Sequence, residues 1–377
     1  MTDREAYIVL NMISGVGPIR LSRLCEKFGS PVAVLNAQKK DIASIEGIGE
    51  PLAEKIFSWR NDVNPDKELR LTEKAGVKIL TKADSTYPKR LIELPDSPLC
   101  LYVRGSLEAF NKNSIAIVGS RRITNYGKRM TEYLASSAAY ASWVVISGLA
   151  FGTDAVAHEA TINASGLTVA VLGGGLARIF PQENISLARK IVDSGGALIS
   201  EFPMEFSPNK RSFPMRNRII SGLSLGTIVI EAGIGSGALI TAKFALEQGR
   251  SVFAVPGEAD NPQARGCNKL IKDGAKLVEN FDDVLEEFEF LTGIIRDSDR
   301  KRGDDENQIK IDESTLSEDE LKIFEILKIE DKNIENIAIE SKILPGKLLA
   351  TLMNMEMKKI VVQYPGKVFG LNRKLKK

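Results

Sequence analysis

The middle of the chain alternates short apolar segments with longer segments of mixed polarity, beginning near residue 114. The short segments are rich in β-branched and small apolar residues and lack alternating polar positions, which predicts strands buried on both faces. Helix-length segments separate them, so the pattern predicts right-handed βαβ crossovers and an α/β core whose parallel sheet carries helices on both faces. The predicted strands are 115–118, 144–147, 167–172, 197–200, 227–232 and 252–255.

Two glycine-containing turns repeat one pattern before this core. Segments 13–18 and 45–51 each begin apolar-x-Gly-apolar-Gly, and each leads into a predicted helix, at 19–28 and 52–59. The pair resembles a helix-hairpin-helix element, whose glycine turn offers backbone N–H groups to a DNA phosphate. We therefore predict an all-α, helix-hairpin-helix/SAM-like domain at 1–65, which serves either DNA contact or packing alone.

Short strands at 77–80 and 99–103 open the predicted core domain, which spans 72–292. The segment 293–313 is predicted to be a polar linker, because it has too few apolar residues to fold. The last predicted domain, 314–377, contains three helices and a β-hairpin, which are the components of a winged helix. DNA binding by this module, a protein contact and a packed cap all remain open.

The elements of the C-terminal domain follow from local signals. Ser317 and Glu320 form a capping box, which predicts the start of its first helix. That helix should end near Leu327, and the hairpin should turn at Pro365-Gly366. The further predicted elements are helices at 334–341 and 345–358 and strands at 360–363 and 368–371.

The composition excludes several classes of protein to which this chain could belong. The 377 residues are 43% hydrophobic and 27% charged with a formal net charge of +2, so nucleic-acid affinity must come from a local patch. No apolar run reaches membrane-spanning length and the first residues are not a signal peptide, which predicts a protein without membrane contact. Three scattered cysteines indicate reduced thiols in the cytoplasm. A single histidine argues against a histidine-based metal site, and we expect no cofactor.

The loops that follow the predicted strands are rich in glycine and in cations. Because the strands are parallel, these loops emerge at one edge of the sheet, where such folds bind ligands. The excess of positive charge at this edge predicts a site for a polyanion. The loops are 119–122, 148–154, 173–178, 201–218, 232–237 and 256–258. Their cations are Arg121, Arg122, Arg178, Lys210, Arg211, Arg216 and Arg218, against the acidic Asp154, Glu201, Glu231 and Glu258.

Two of these loops have the chemistry of single-strand binding. Gly233, Gly235 and Gly237 open a predicted helix at 236–249. This turn either presents backbone N–H groups and the positive end of a helix dipole to an anion, or is an ordinary βαβ turn whose glycines serve packing alone. Phe213 lies beside lysine and arginine, and an aromatic ring among cations suits a nucleic-acid strand, since bases stack while phosphates pair. Phe202 and Phe206, by contrast, are interpreted as core residues.

Other polar residues in these loops allow either a structural or a catalytic interpretation. Asp154 and His158 share a helical face and form a possible general base, although a histidine that ties its helix to a neighbouring loop is favoured. Glu201 and Glu231 follow strands and are interpreted as acceptors for nearby arginines rather than as an acid/base pair. No P-loop motif occurs, and Arg178 stands where a dinucleotide-binding fingerprint has its last glycine.

Five ordered motifs stand out along the chain, at 117–121, 147–154 with 157–158, 213–224, 236–242 and 254–257. Together they resemble the DprA (Smf) family of bacterial DNA-processing proteins, and the resemblance covers essentially the whole chain. One departure is Thr153, where the family pattern usually has isoleucine; we expect it to leave the phosphate-binding loops unaltered.

The resemblance implies an extended Rossmann-like core that binds single-stranded DNA during natural transformation. It also implies that the protein forms a homodimer and loads RecA onto that strand against single-strand-binding protein, and it does not imply catalysis. Arg121 and Arg218 are predicted phosphate clamps, and Phe213 a platform for a base. By the resemblance, the DNA-binding residues are Gly119, Ser120, Arg121, Lys210, Phe213, Asn217 and Arg218, with backbone N–H groups of Gly235, Ser236 and Gly237.

Two rival functions remain. Nucleotide phosphoribohydrolases share a similar fold, but their motif Pro-Gly-Gly-x-Gly-Thr is followed shortly by a glutamate. Here the matching segment is 232–237, with Thr241 and no glutamate before Glu247, which argues against hydrolysis. A transcription regulator that uses the winged helix would instead bind specific duplex sequences through 314–377.

Overall fold

The computed structural model describes residues 1–288 and, in 316–371, all but 330–331, 344–346, 349–350, 353, 356–359 and 365–367. Two compact units divide the chain, Met1–Glu289 and Phe290–Lys377. The predicted linker 293–313 lies outside the described residues.

Seven helices open the first unit, and they include the helices predicted after the two glycine turns. Gly15 and Gly47 have φ of +101° and +81°, a conformation that favours glycine, at the two hairpin turns. The Arg20 guanidinium donates to the carbonyl oxygens of both glycines, at 2.8 and 3.2 Å, and so ties the two turns together. The helices are α1 Asp3–Met12, α2 Pro18–Phe28, α3 Pro31–Leu35, α4 Lys39–Ala43, α5 Glu50–Phe57, α6 Trp59–Asp62 and α7 Pro65–Lys74.

A nine-stranded sheet in the order β1-β2-β6-β5-β4-β3-β7-β8-β9 forms the centre of this unit. The seven strands from β6 to β9 along this order are parallel, and only β1 and β2 run antiparallel to their neighbours. The predicted α/β core is therefore confirmed, with β9 as an additional strand. The strands are β1 Val77–Thr81, β2 Cys100–Gly105, β3 Ser114–Val118, β4 Val144–Ser147, β5 Thr168–Val171, β6 Ala197–Ser200, β7 Gly226–Val229, β8 Ser251–Ala254 and β9 Lys276–Leu277.

Helices cover both faces of the sheet. In β3, Ile115 and Ile117 point to one face, and Ala116 and Val118 to the other, because successive side chains in a strand alternate. The first pair packs with α9 and α10, and the second with α12 and α13. The helices are α8 Lys89–Ile92, α9 Asn125–Tyr140, α10 Thr153–Asn163, α11 Ile185–Asp193, α12 Ser212–Leu223, α13 Gly237–Glu247, α14 Arg265–Lys272 and α15 Asp282–Glu287.

Helix α12 corrects one expectation, since the segment 201–218 was predicted to be a loop. Asn209 organises the start of α12, because its Oδ1 accepts the backbone N–H groups of Arg211 and Ser212 at 2.9 and 3.1 Å. Pro214 lies in the first turn, where a missing N–H costs no helical hydrogen bond. The side chains from Phe213 onward are therefore placed by helical geometry and not by a flexible loop.

The second unit contains two described helices and a small antiparallel sheet, β10-β12-β11. The predicted capping box is confirmed, with Ser317 N–H donating to Glu320 and Glu320 N–H to Ser317 Oγ. The predicted helix at 345–358 lies partly outside the described residues. In the described part of the chain, no helix is long and apolar enough to cross a membrane. The elements are α16 Glu318–Ile329, β10 Lys332–Asn333, α17 Ile334–Ser341, β11 Val361–Tyr364 and β12 Val368–Leu371.

Candidate nucleic-acid interface

The order of the sheet locates a ligand-binding edge. From β3 the chain proceeds through β4, β5 and β6 on one side, and it then returns to place β7 on the other side of β3. Ligands of open parallel sheets bind at such a switch point, outside the carboxyl ends of the strands. The loops after β3 and β7 meet here, and these loops contain Arg121 and Gly235.

The loop after β3 is held against the start of α10. The Ser120 carbonyl accepts the backbone N–H of Thr153 at 3.1 Å and its hydroxyl at 3.3 Å. A Cβ on Gly119 would lie 2.4 Å from Thr153 Oγ1, so only glycine allows this approach. Thr153, the departure from the family pattern, therefore bonds directly to the loop that we expected it to leave unaltered. The Arg121 side chain projects from a rigid base.

Arg121 lies over an aromatic ring. Its guanidinium carbon is 5.8 Å from the centroid of the Phe213 ring, at the start of α12. Gly173 leaves room for that ring, since a Cβ there would lie 2.8 Å from it. Arg121 is exposed, and within the described residues it forms no ion pair. An unpaired guanidinium beside an aromatic face can bind a phosphate while a base stacks nearby.

Phe180 extends this aromatic surface, and the sequence analysis did not identify it. Its ring centroid is 5.8 Å from that of Phe213 at an interplanar angle of 51°, and the residue is 51% exposed. The signal was present in the sequence, because Phe180 follows the cationic loop of Arg178 by two residues. Phe202 and Phe206 stack on each other at 4.3 Å and are half-buried.

Two further cations flank the aromatic pair along the chain. Lys210 is exposed in the turn that precedes α12, and Arg178 is exposed in the loop that leads to Phe180. Neither forms an ion pair among the residues that the structure describes. We name the group of Arg121, Phe213 and Phe180, together with the exposed Arg178 and Lys210 that precede the two rings in the chain, the cradle.

The glycine loop after β7 leads into α13 beside α12. Gly235 has φ of +80°, and a Cβ on Gly235 or Gly237 would meet nothing within 4 Å, so this backbone is open to a ligand. Ser236 differs from the prediction, because its N–H donates to the Gly233 carbonyl at 3.1 Å and is not free for an anion. The Asn217 side chain donates to the Gly237 carbonyl at 3.3 Å and so connects the two helices.

Arg218 is placed differently from the predicted phosphate clamp. It is only 6% exposed, and its Nη2 donates to Oε2 of Glu201 in a short contact. Its Nε lies 3.5 Å from Asp96 Oδ2. The guanidinium therefore lies behind carboxylates, which compete with any phosphate. This position corrects the assignment of Arg218 as a clamp and confirms Glu201 as an acceptor for an arginine.

Arg216 is also structural. It is 4% exposed, and its Nη1 donates to the carbonyl oxygens of Gly148, at 2.6 Å, and Val171. These carbonyls end β4 and the neighbouring β5, so Arg216 joins two strands at the edge that carries the cradle. Burial lowers the pKa of Arg216 to about 10, and the nearby Asp154 carboxylate opposes that shift.

The candidate acid/base groups are held in structural contacts. His158 is fully buried, and its Nδ1 lies 2.7 Å from Thr168 Oγ1, so it ties α10 to β5 rather than to a loop. Burial and the charge of Arg216 lower its pKa to about 3. Asp154 accepts the backbone N–H groups of Gly148 and Ala150 instead of orienting the histidine.

The prediction that Glu231 accepts from an arginine is wrong. Its carboxylate accepts the backbone N–H of Thr124 at 2.9 Å and the Thr124 hydroxyl at 2.5 Å. Thr124 is the N-cap of α9, so this carboxylate stabilises the positive end of that helix. The Glu231 carboxylate thus occupies the position at the N-terminus of α9 where a phosphate could otherwise bind.

Comparison with known proteins agrees with this architecture. Residues 78–289 match the family model for DNA recombination-mediator protein A, and residues 7–58 match a SAM-like helix-hairpin-helix tandem. Protein Smf of Synechocystis sp. is 36% identical over 288 residues, which are 75% of this chain and 72% of that protein.

Two solved structures are similar as well. The structure of DNA processing protein A from Streptococcus pneumoniae aligns with a TM-score of 0.65 at 33% identity, over 76% of this chain and 98% of the other. A structure of the Helicobacter pylori protein, which concerns its single-stranded DNA binding mode, aligns with a TM-score of 0.51 at 29% identity, over 59% and 96%. With the family model covering more than half of the residues, this chain belongs to the DNA recombination-mediator protein A family.

Proposed function

We propose that this protein is a non-enzymatic recombination mediator, which binds single-stranded DNA and loads RecA onto it during natural transformation. The observation that carries the proposal is the unpaired Arg121 guanidinium over Phe213, beside the exposed ring of Phe180. The Helicobacter pylori relative, described for its single-stranded DNA binding mode, supports the choice of ligand.

Each part of the cradle has a distinct role in this proposal. Arg121 and Lys210 bind phosphates, and the open backbone N–H groups of Gly235 and Gly237 bind another. Bases stack on Phe213 and Phe180, which favours unpaired strands because the bases of a duplex already stack on one another. The remaining predicted residues shape the surface: Gly119 and Ser120 set the loop, Asn217 joins α12 to α13, and Arg218 anchors α12 through Glu201.

The wider functions are part of the same proposal. The chain acts as a homodimer in the cytoplasm, displaces single-strand-binding protein and presents the strand to RecA. The C-terminal domain folds as a winged helix and supplies a further contact, to DNA or to a protein partner. In support of this fold, its described part contains two helices and the antiparallel β11-β12 hairpin.

A binding isotherm with fluorescently labelled oligothymidine tests the central claim. Arg121→Ala should weaken binding to all sequences alike and should reduce the slope of log affinity against log salt by about 0.7, the value for one phosphate contact on a single strand. Arg189→Ala is the matched control, because Arg189 is an exposed arginine on α11 outside the cradle. Equal affinity and equal salt slope in wild type and Arg121→Ala would disprove the site.

A second measurement addresses the RecA step. Assembly of RecA on oligothymidine coated with single-strand-binding protein is expected to accelerate when the wild-type protein is added. Arg121→Ala should lose this acceleration in proportion to its lost DNA affinity. A protein that binds the strand normally yet leaves RecA assembly unchanged would refute loading while leaving DNA binding intact.

A further inference from the structure

A cavity lies at the opposite edge of the sheet from the cradle. It measures about 480 Å³ and is formed by the segment 85–90, which includes the start of α8, and by the turn around Phe110. The Arg90 guanidinium on its wall donates to the Lys112 carbonyl at 3.0 Å, two residues before β3 begins. The cavity is therefore at the amino ends of the strands, whereas the cradle is at their carboxyl ends.

Positive charge is concentrated at this cavity, and Glu93 is the carboxylate that partly offsets it. Arg90 and Lys89 line it, and the guanidinium of Arg250 donates to the Arg90 carbonyl at 3.3 Å. Throughout the described ranges, none of these three cations forms an ion pair. The Nε of Arg250 is buried and has no hydrogen-bond partner there. Burial and the charge of Arg250 lower the pKa of Arg90, and the charge of Glu93 opposes that shift. A bound anion would offset the positive charge that Arg90 and Arg250 bring together.

The remaining walls suit a planar organic group. The ring of Phe110 is half-buried, and Tyr87 is held rigid because its hydroxyl donates to the Pro98 carbonyl at 2.7 Å. The side chains of Ser85, Thr86 and Asn111 also line the cavity. Within residues 1–288 these three side chains have no hydrogen-bond partner, so their hydroxyl and amide groups are available to a ligand.

We infer that this cavity binds a nucleoside monophosphate. The phosphate binds Arg90 and Lys89, within the positive field of Arg250, because arginine pairs well with phosphate oxygens. The base lies against Phe110 and Tyr87, and the neighbouring hydroxyl and amide groups bind its polar edge. The volume is within the range of small-ligand pockets, about 300–1,000 Å³. The site is independent of the cradle and does not rest on the proposed function.

Calorimetric titration of the full chain with thymidine monophosphate tests the inference. Saturating the protein first with unlabelled oligothymidine occupies the cradle, so any remaining binding reports another site. We expect one monophosphate per chain under these conditions. Thymidine, which lacks the phosphate, should bind at least tenfold more weakly, and inorganic phosphate should also bind more weakly because it lacks the base.

Variants assign the binding to this cavity. Arg90→Gln should weaken monophosphate binding by about 10- to 100-fold, and Lys89→Gln provides a second test that leaves the Arg90–Lys112 contact intact. Arg189→Gln removes the same charge as Arg90→Gln from α11, which does not line this cavity, and should change nothing. Absence of binding in the saturated wild type, equal affinity for thymidine, equal affinity for inorganic phosphate, or full affinity in both cavity variants would each overturn the inference.

Discussion

The buried pair of Arg218 and Glu201 allows a structural role to be separated from a DNA-binding role. Arg218→Met leaves the Glu201 carboxylate buried without its cation, and Glu201 is itself only 8% exposed. Removing one partner of a buried ion pair typically costs about 3–5 kcal/mol of unfolding free energy. We expect Arg218→Met to lose an amount in this range, because Oε1 of Glu201 already has no hydrogen-bond partner among the described residues.

Replacing both partners should restore most of this loss. In the double variant Arg218→Met/Glu201→Met, no uncompensated charge stays buried, and apolar replacements of buried pairs are often neutral or stabilising. Asp96 also loses a partner, but its side chain is 33% exposed and is therefore solvated. We expect the double variant to lie within about 1–2 kcal/mol of wild type, a coupling that a double-mutant cycle measures.

Urea unfolding followed by tryptophan fluorescence provides the stability assay, since Trp59 and Trp143 both lie in the first unit. Oligothymidine affinity is then measured on the folded double variant. If Arg218 only anchors α12, that variant should bind within about twofold of wild type, a difference of about 0.4 kcal/mol. A stable double variant with strongly reduced affinity and a smaller salt slope would refute the structural assignment and restore Arg218 as a phosphate contact.

Three further predictions concern the cradle and the core. Phe180→Ala should reduce the binding free energy of oligothymidine by about 1–3 kcal/mol, yet leave the affinity for a labelled abasic strand unchanged in the same binding assay. Gly119→Ala should lower the unfolding free energy by about 1–3 kcal/mol, since its Cβ would lie 2.4 Å from Thr153 Oγ1; an unchanged urea midpoint would contradict this contact. The pKa of His158 is about 3 when folded, below the ordinary value of 6.5, so the unfolded state binds the proton more readily and stability falls as the pH drops below 6.5. His158, the single histidine, should contribute a loss of about 1.3 kcal/mol between pH 7 and 5.5, and the pH slope of unfolding should flatten in His158→Gln.

Local sequence patterns were sufficient to predict much of the fold. Each predicted core strand appears in the sheet, because a run of β-branched residues between helix-length segments has few alternatives to a buried parallel strand. The helix-hairpin-helix pair was predicted for a similar reason, since Gly15 and Gly47 adopt positive φ in turns whose form is encoded locally. Parallel topology then places the glycine loops at one edge of the sheet, because every strand of a parallel set ends on the same side.

The sequence could not predict which arginines are paired and which are exposed, because this depends on the helical face that each residue occupies. Phe213 and Asn217 are four residues apart on α12 and so share a face, which puts them beside the ligand-binding edge. Arg216 and Arg218 lie on other sides of the same helix, where one meets strand carbonyls and the other meets Glu201. A list of arginines in sequence order cannot distinguish these environments.

The sequence by itself determined the buried strands, the two glycine turns, the common edge of the strand-end loops and the family, since these depend on local periodicity and on ordered motifs. Only the tertiary structure decided that Arg121 is free while Arg218 is neutralised, and that Phe180 lies beside Phe213. The physical reason is that the availability of a charge or a ring depends on its desolvation and on its partners, and residues distant in the chain supply both.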